Sequence, residues 1–140
     1  MGFWLRFVSN HVSHAFKLKV EAHGVTVAEW VVLRALFDTD NVNPSEVAEK
    51  LGMTRGAISK LVDRLVAKRL VKCTVERGDR RFQSLALTPG GRKLVPILAN
   101  LADQNDAEFF GRLTDEQRSS LIALLKDIVR ERELRDLPVG

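Results

Sequence analysis

Residues 43–71, "NPSEVAEKLGMTRGAISKLVDRLVAKRLV", restrict the fold of this chain more than any other stretch. Val47, Ala48 and Leu51 recur at the spacing of one face of a short helix, and Ile58, Leu61, Val62 and Leu65 form one apolar stripe of a second. Pro44, whose fixed φ suits a first helical position, opens the first helix behind Asn43. Gly52-Met53-Thr54 between them reads as a tight turn ending in a cap. Two amphipathic helices joined so closely make a helix-turn-helix, whose second member keeps one face on a core and one face free. At 100° per residue the free face carries Gly56, Ser59, Lys60, Asp63 and Ala67, with Arg55 and Arg64 toward its edges. Gly56 lets a backbone approach a duplex, Ser59 can meet a base edge or phosphate, and Lys60 can reach guanine acceptors. Asp63 is repelled by phosphate, so it either accepts from a cytosine amino group or holds a neighbouring arginine. A solvated helix face has the same composition, so this segment alone does not decide.

The next segment weighs toward nucleic acid. "LVKCTV" and "FQSLALT" alternate apolar and polar residues on either side of "ERGDRRF", the pattern of a β-hairpin. Val71, Cys73 and Val75 share one face, Leu85 and Leu87 one face of the return, which anchors the base and lets the tip project. The tip holds Arg77, Arg80 and Arg81 around Asp79. One carboxylate can orient one guanidinium by a bidentate pair while the others stay free to enter a narrow, electronegative minor groove. An exposed turn with a surface salt bridge worth under about 1 kcal/mol is the plainer alternative.

The charge is distributed to match. Residues 44–93 carry twelve cations and five anions, net +7, whereas residues 1–43 balance four against four and residues 94–140 carry six against nine, net −3. One basic region flanked by neutral and acidic ends suits a single face that meets a polyanion.

Outside this region, cap signals set the remaining helices. Thr26 with Glu29, Asn43 with Glu46, and Thr114 with Gln117 read as capping boxes, and Thr88 caps the helix opened by Pro89. The predicted order is α-α-α-α-β-β-α-α, with helices over about 3–21, 27–37, 44–50, 55–68, 89–111 and 115–135. At 140 residues the chain is one domain. The first helix shows Phe3, Trp4, Leu5, Phe7, Val8, Val12, Ala15 and Phe16, and the last shows Leu121, Ile122, Leu124, Leu125, Ile128 and Val129, more apolar surface than a small domain covers. The two ends are therefore expected to pack together against a second copy. No apolar run is long enough for a membrane span, and the apolar start lacks the flanks of a signal peptide, so it reads as mature protein. The single cysteine, Cys73, fits a reducing cytoplasm, the expected location.

The segments "GVTVAEWVVLRAL", "PSEVAEKLGMTRGAISKLVDRLVAKRLV" and "RGDRRFQSLALTPGGRKL" resemble the MarR (multiple antibiotic resistance regulator) family of transcription factors, in the right order and over nearly the whole chain. The resemblance implies a mainly α chain with a small β-hairpin wing: a winged helix-turn-helix lobe over residues 26–90, with dimerisation helices over 1–22 and 91–140. It implies a homodimer that binds a pseudo-palindromic operator on double-stranded DNA, here expected to act as a repressor, with binding released or sometimes strengthened by a small ligand, commonly a phenolic or other lipophilic anion such as an aromatic acid, or by cysteine oxidation. Thr54, Arg55, Ser59, Lys60 and Arg64 then fall on the recognition helix, and Asp79, Arg80 and Arg81 on the wing motif; Gly56 and Arg77, read from the residues themselves, complete the DNA-binding candidates. Gly90 departs from the family pattern, where a less flexible residue precedes the matching Gly91, and is expected to loosen the first turn of the long helix.

The resemblance implies an effector pocket where the first, second and fifth helices meet the DNA-binding lobe, with His11, His14, Trp30 and Arg34 as candidate lining, an aromatic wall with a cationic end. Two histidines three apart do not make a metal site, no cofactor motif is present, and no nucleophile, base and orienting group are arranged for catalysis. Two other readings stay open: a winged-helix adaptor whose wing docks on an acidic protein, and a constitutive DNA-binding protein without an effector.

Overall fold

The computed structural model describes residues 1–75 and 83–135. All its helices after the first begin where a polar side chain satisfies a free N–H group of the first turn. Thr26 accepts from the Glu29 backbone N–H at 3.1 Å while the Glu29 carboxylate accepts from Thr26 N–H at 2.9 Å, opening α2 (Val27–Phe37). Thr114 and Gln117 do the same at 3.1 and 3.0 Å for α6 (Asp115–Glu131). Thr54 caps α4 (Arg55–Ala67) and Thr88 caps α5 (Pro89–Phe110), each by one bond of 3.1 Å. Asn43 corrects the expected third box. Its short side chain accepts from Ser45 N–H at 2.7 Å, one position earlier than a box requires, and Glu46 stays exposed, so α3 (Pro44–Leu51) has a simple cap.

The turns between elements use the left-handed region sparingly. Gly52 closes α3 at φ 64, and Met53 N–H donates to Ala48 O at 2.9 Å, the backbone geometry that swings the chain directly into α4. Arg69, at φ 61, ends α4 in the same way, with Leu70 N–H donating to Leu65 O at 3.0 Å. Gly24 at φ 83 separates α1 (Gly2–Glu21) from α2.

Two strands come after α4. β1 (Val71–Val75) and β2 (Gln83–Leu87) pair antiparallel, Val71 opposite Leu87, Cys73 opposite Leu85 and Val75 opposite Gln83. Leu85 also exchanges backbone bonds of 2.7 and 2.9 Å with Val42, which lies just before α3 and adds an isolated third rung. The alternation expected to bury Val71, Cys73 and Val75 together holds only at the base: Val71, Leu85 and Leu87 are buried, Cys73 is half-buried, and Val75 is 41% exposed. Burial thus falls off along β1 away from the core.

One core unites these elements. Val32, Leu33 and Leu36 of α2, Val47 and Ala48 of α3, the stripe Ile58, Leu61, Val62 and Leu65 of α4, and Val95 and Leu98 of α5 form it, with Val20 of α1 at its upper end. α1 packs along α5. α6 has no buried residue and ends at Glu131 rather than about 135, because Glu133 takes φ 51 and Leu134 N–H turns back to Val129 O. No helix of the described residues is long and apolar enough to cross a membrane. The expected mainly α architecture with a β-hairpin and a helix-turn-helix is present.

Candidate nucleic-acid interface

The outward face of α4 is set by what its other face buries. Ile58 and Leu65 are fully buried and Leu61 and Val62 nearly so. Each such side chain favours docking by roughly 1.5–3 kcal/mol over exposure, more than any solvated cation contributes, so the stripe dictates which residues point out. Those are Arg55, Gly56, Ser59, Lys60, Asp63, Arg64 and Ala67, all exposed, and Thr54 is exposed at the N-cap. The structure thus gathers five of the six DNA-binding candidates of this segment on the outward side of one helix and the sixth, Thr54, at its start. Arg77, Asp79, Arg80 and Arg81 lie outside the described residues.

Not all of these side chains are equally free. Thr54 already accepts from Ala57 N–H as the helix cap. The Arg55 guanidinium donates to Ser45 Oγ at 2.6 Å, tying the start of α4 to the first turn of α3. Ser45 offered no sequence signal, since ten residues and a turn separate the pair. Ser59, Lys60 and Arg64 are exposed and, among the described residues, make no side-chain hydrogen bond or ion pair. Gly56 is open as well: a Cβ there would meet nothing within 4 Å.

Between this face and the hairpin lies a recess of about 290 Å³ lined by Pro44, Ser59, Val62, Asp63, Val66, Cys73 and Gln83. Asp63 sits on its wall, beside β1 and β2. The C-terminal end of α4 is held from two sides. Lys68 Nζ donates to Glu29 Oε1 and to Gly24 O, each at 2.8 Å. Thr88 Oγ1 donates to Arg69 O at 2.7 Å. Burial works to raise the pKa of Glu29, but the bonds from Lys68 and Thr26 outweigh it and hold the carboxyl below its ordinary value.

Of the four candidate effector residues, the structure brings two together. Trp30 and Arg34 line a recess of about 340 Å³ with Val31, Ala35, Asp38, Lys50 and Leu51, where Arg34 donates to Asp38 at 3.0 Å. Trp30 also lines a second recess, of about 250 Å³, against Val12, Ser13 and Phe16 of α1 and Ala102, Asn105 and Asp106 of α5. His11 and His14 are exposed on α1 and line neither. Asn105 was not anticipated. It is nearly buried, donates to Val12 O at 3.2 Å and accepts from Lys19 Nζ at 3.0 Å, pinning α1 to α5 beside Trp30.

A family model described as MarR family matches residues 23–81. The HTH-type transcriptional regulator PrsX of Escherichia coli is 33% identical over 116 residues, spanning 76% of this chain and 70% of that one. Among solved structures, BpsR of Bordetella bronchiseptica, studied for regulation of its DNA binding by 6-hydroxynicotinic acid, superposes with a TM-score of 0.77 at 27% identity, over 91% of this chain and 93% of its own. The reduced form of MarR from E. coli superposes with a TM-score of 0.76 at 25% identity, over 92% and 96%.

Proposed function

Since this chain belongs to the MarR family and is a DNA-binding transcriptional regulator rather than an enzyme, we propose that it is a ligand-responsive repressor whose homodimer grips a pseudo-palindromic operator. The observation that carries this reading is the outward face of α4, where Gly56, Ser59, Lys60 and Arg64 stand exposed because Ile58, Leu61, Val62 and Leu65 are buried. In this reading Ser59 and Lys60 meet base edges, Thr54, Arg55 and Arg64 meet phosphates, and the wing arginines Arg77, Arg80 and Arg81 serve the minor groove, with Asp79 orienting one of them. The lobe that reads DNA spans residues 26–90, and the ends pair two copies.

The effector site in this reading is the hollow at Trp30, with Arg34 as its cation. The indole forms part of the walls of both recesses, and a flat ring against it with a carboxylate toward a guanidinium suits an aromatic acid. The similarity to BpsR, whose DNA binding is regulated by 6-hydroxynicotinic acid, an aromatic acid, supports that class.

The test is a binding titration on duplexes from the DNA flanking the protein's own gene. Specific binding that falls steeply with salt is expected, with Lys60→Ala and Arg81→Ala each weakening it, and Arg64→Ala weakening it while lowering the salt slope by about one phosphate's worth, dimerisation persisting in all three. Failure of the folded protein to bind any palindrome there at low salt would favour the adaptor reading. Thermal shifts across aromatic acids test the effector: a ligand that prefers the folded state raises the melting temperature, and Trp30→Ala should abolish the rise.

A further inference from the structure

Among the described residues only two polar side chains are buried, Asn105 and Glu29, and Glu29 alone carries a formal charge. Burying a carboxylate is unfavourable unless it is paired, and a well-packed apolar side chain stabilises a core at least as well as a buried ion pair. A charge retained at such a place is better explained by the geometry it enforces than by stability. Here that geometry is specific. The α2 cap holds the Glu29 carboxylate through Thr26 N–H at 2.9 Å. Lys68, the C-cap residue of α4, reaches back across 39 residues to that carboxylate and across 44 to Gly24 O in the α1–α2 corner. The lysine is thus fixed by two acceptors on the part of the molecule that borders the Trp30 hollow.

We propose that Glu29 and Lys68 are positioning residues for base-sequence recognition: they fix the C-terminal end of α4 against α2, and so the angle at which Gly56, Ser59 and Lys60 enter the groove. This rests on the reading of α4 as the recognition helix. The N-terminal end of α4 has its own ties, the Thr54 cap and the Arg55–Ser45 bond. Without the Lys68 tie the C-terminal end keeps the Thr88–Arg69 bond and the packing of Leu65 but loses its tether to α2, so the helix axis can tilt about its firmly tied N-terminal end. At 1.5 Å rise per residue a 13-residue helix is about 20 Å long, and a hydrogen bond to a base edge weakens steeply over a few tenths of an ångström and about 30°. Phosphate contacts from flexible cations tolerate such a pivot; base contacts do not.

Glu29 is the residue to alter, because it is fully buried and cannot touch DNA itself. Glu29→Gln keeps a side chain that can serve the cap and removes the charge. The wild-type dimer is first used to select duplexes from a random library; if it enriches no sequence, the proposed function fails and this inference with it. With a selected duplex in hand, Glu29→Gln is expected to lose about tenfold in affinity for it, the size of one lost base contact, with affinity for a scrambled duplex and the salt slope unchanged. Glu29→Gln/Lys68→Met removes both charges and leaves neither unpaired, so it remains informative should the single variant not fold; its selected-to-scrambled ratio should fall by the same factor. A lower melting temperature with that ratio at its wild-type value in both variants would make the pair structural only and overturn the proposal.

Discussion

Three glycines near the proposed interface separate by what a Cβ would touch. At Gly91 it would stand 2.2 Å from Leu70 O, a backbone atom that cannot move aside. At Gly90 the nearest atoms would be 3.6 and 3.8 Å away, ordinary contact, and at Gly56 there is nothing within 4 Å. Gly91→Ala should therefore destabilise by about 1–3 kcal/mol as α5 is forced off the loop after α4. Gly90→Ala and Gly56→Ala should each stabilise by roughly 0.5–1 kcal/mol, the ordinary helix penalty of glycine, seen as rises in melting temperature. Gly56→Ala carries a second outcome: if the backbone approaches DNA there, anisotropy titrations will show weaker binding by a more stable protein. Undiminished binding would remove Gly56 from the interface. The family pattern pointed to Gly91 without the reason for it, because the close approach of α5 to Leu70 is a tertiary contact that no local spacing reveals.

At the scale of elements, what was legible is what local chemistry decides. The Thr26–Glu29 and Thr114–Gln117 boxes form as their spacing suggests, and the stripe of α4 faces the core. The Val42 rung on Leu85 is a single residue with no periodicity to betray it, and the fading burial along β1 depends on how far the core reaches. Glu29 joins both cases: its cap was readable, its burial against Lys68 was not. That pairing has a pH signature. Because the folded carboxyl titrates below its ordinary 4.5, the unfolded chain takes up its proton first as pH falls, so the stabilising contribution is complete above about pH 5 and disappears as pH drops through the folded value. Melting temperatures of wild type and Glu29→Gln should differ by a constant amount between pH 5 and 8 and converge below. A gap that widens in acid would mean that Glu29 is not the ionised partner of Lys68.

For the molecule as a whole, the two terminal helices leave an apolar surplus exposed. Phe3, Trp4 and Phe7 of α1 are 60, 66 and 49% exposed, and Leu124, Ile128 and Val129 of α6 are 61, 46 and 45% exposed. Patches of this kind are uncommon on monomers and mark association. α6 is where to test it, because none of its residues is buried, so substitutions there leave the monomer's own core intact. Leu124→Lys/Ile128→Lys should give a monomer by light scattering with unchanged helical circular dichroism. Its DNA binding is then governed by valency. A dimer joins two recognition helices about 34 Å apart, so the second half-site is met at high effective concentration, whereas the monomer meets each half-site independently. Operator affinity should fall by about 10²-fold or more, and the salt slope by about half, since half as many phosphates are neutralised at once. Full operator affinity in a variant proven monomeric would leave the palindrome unread by symmetry and make each lobe sufficient by itself.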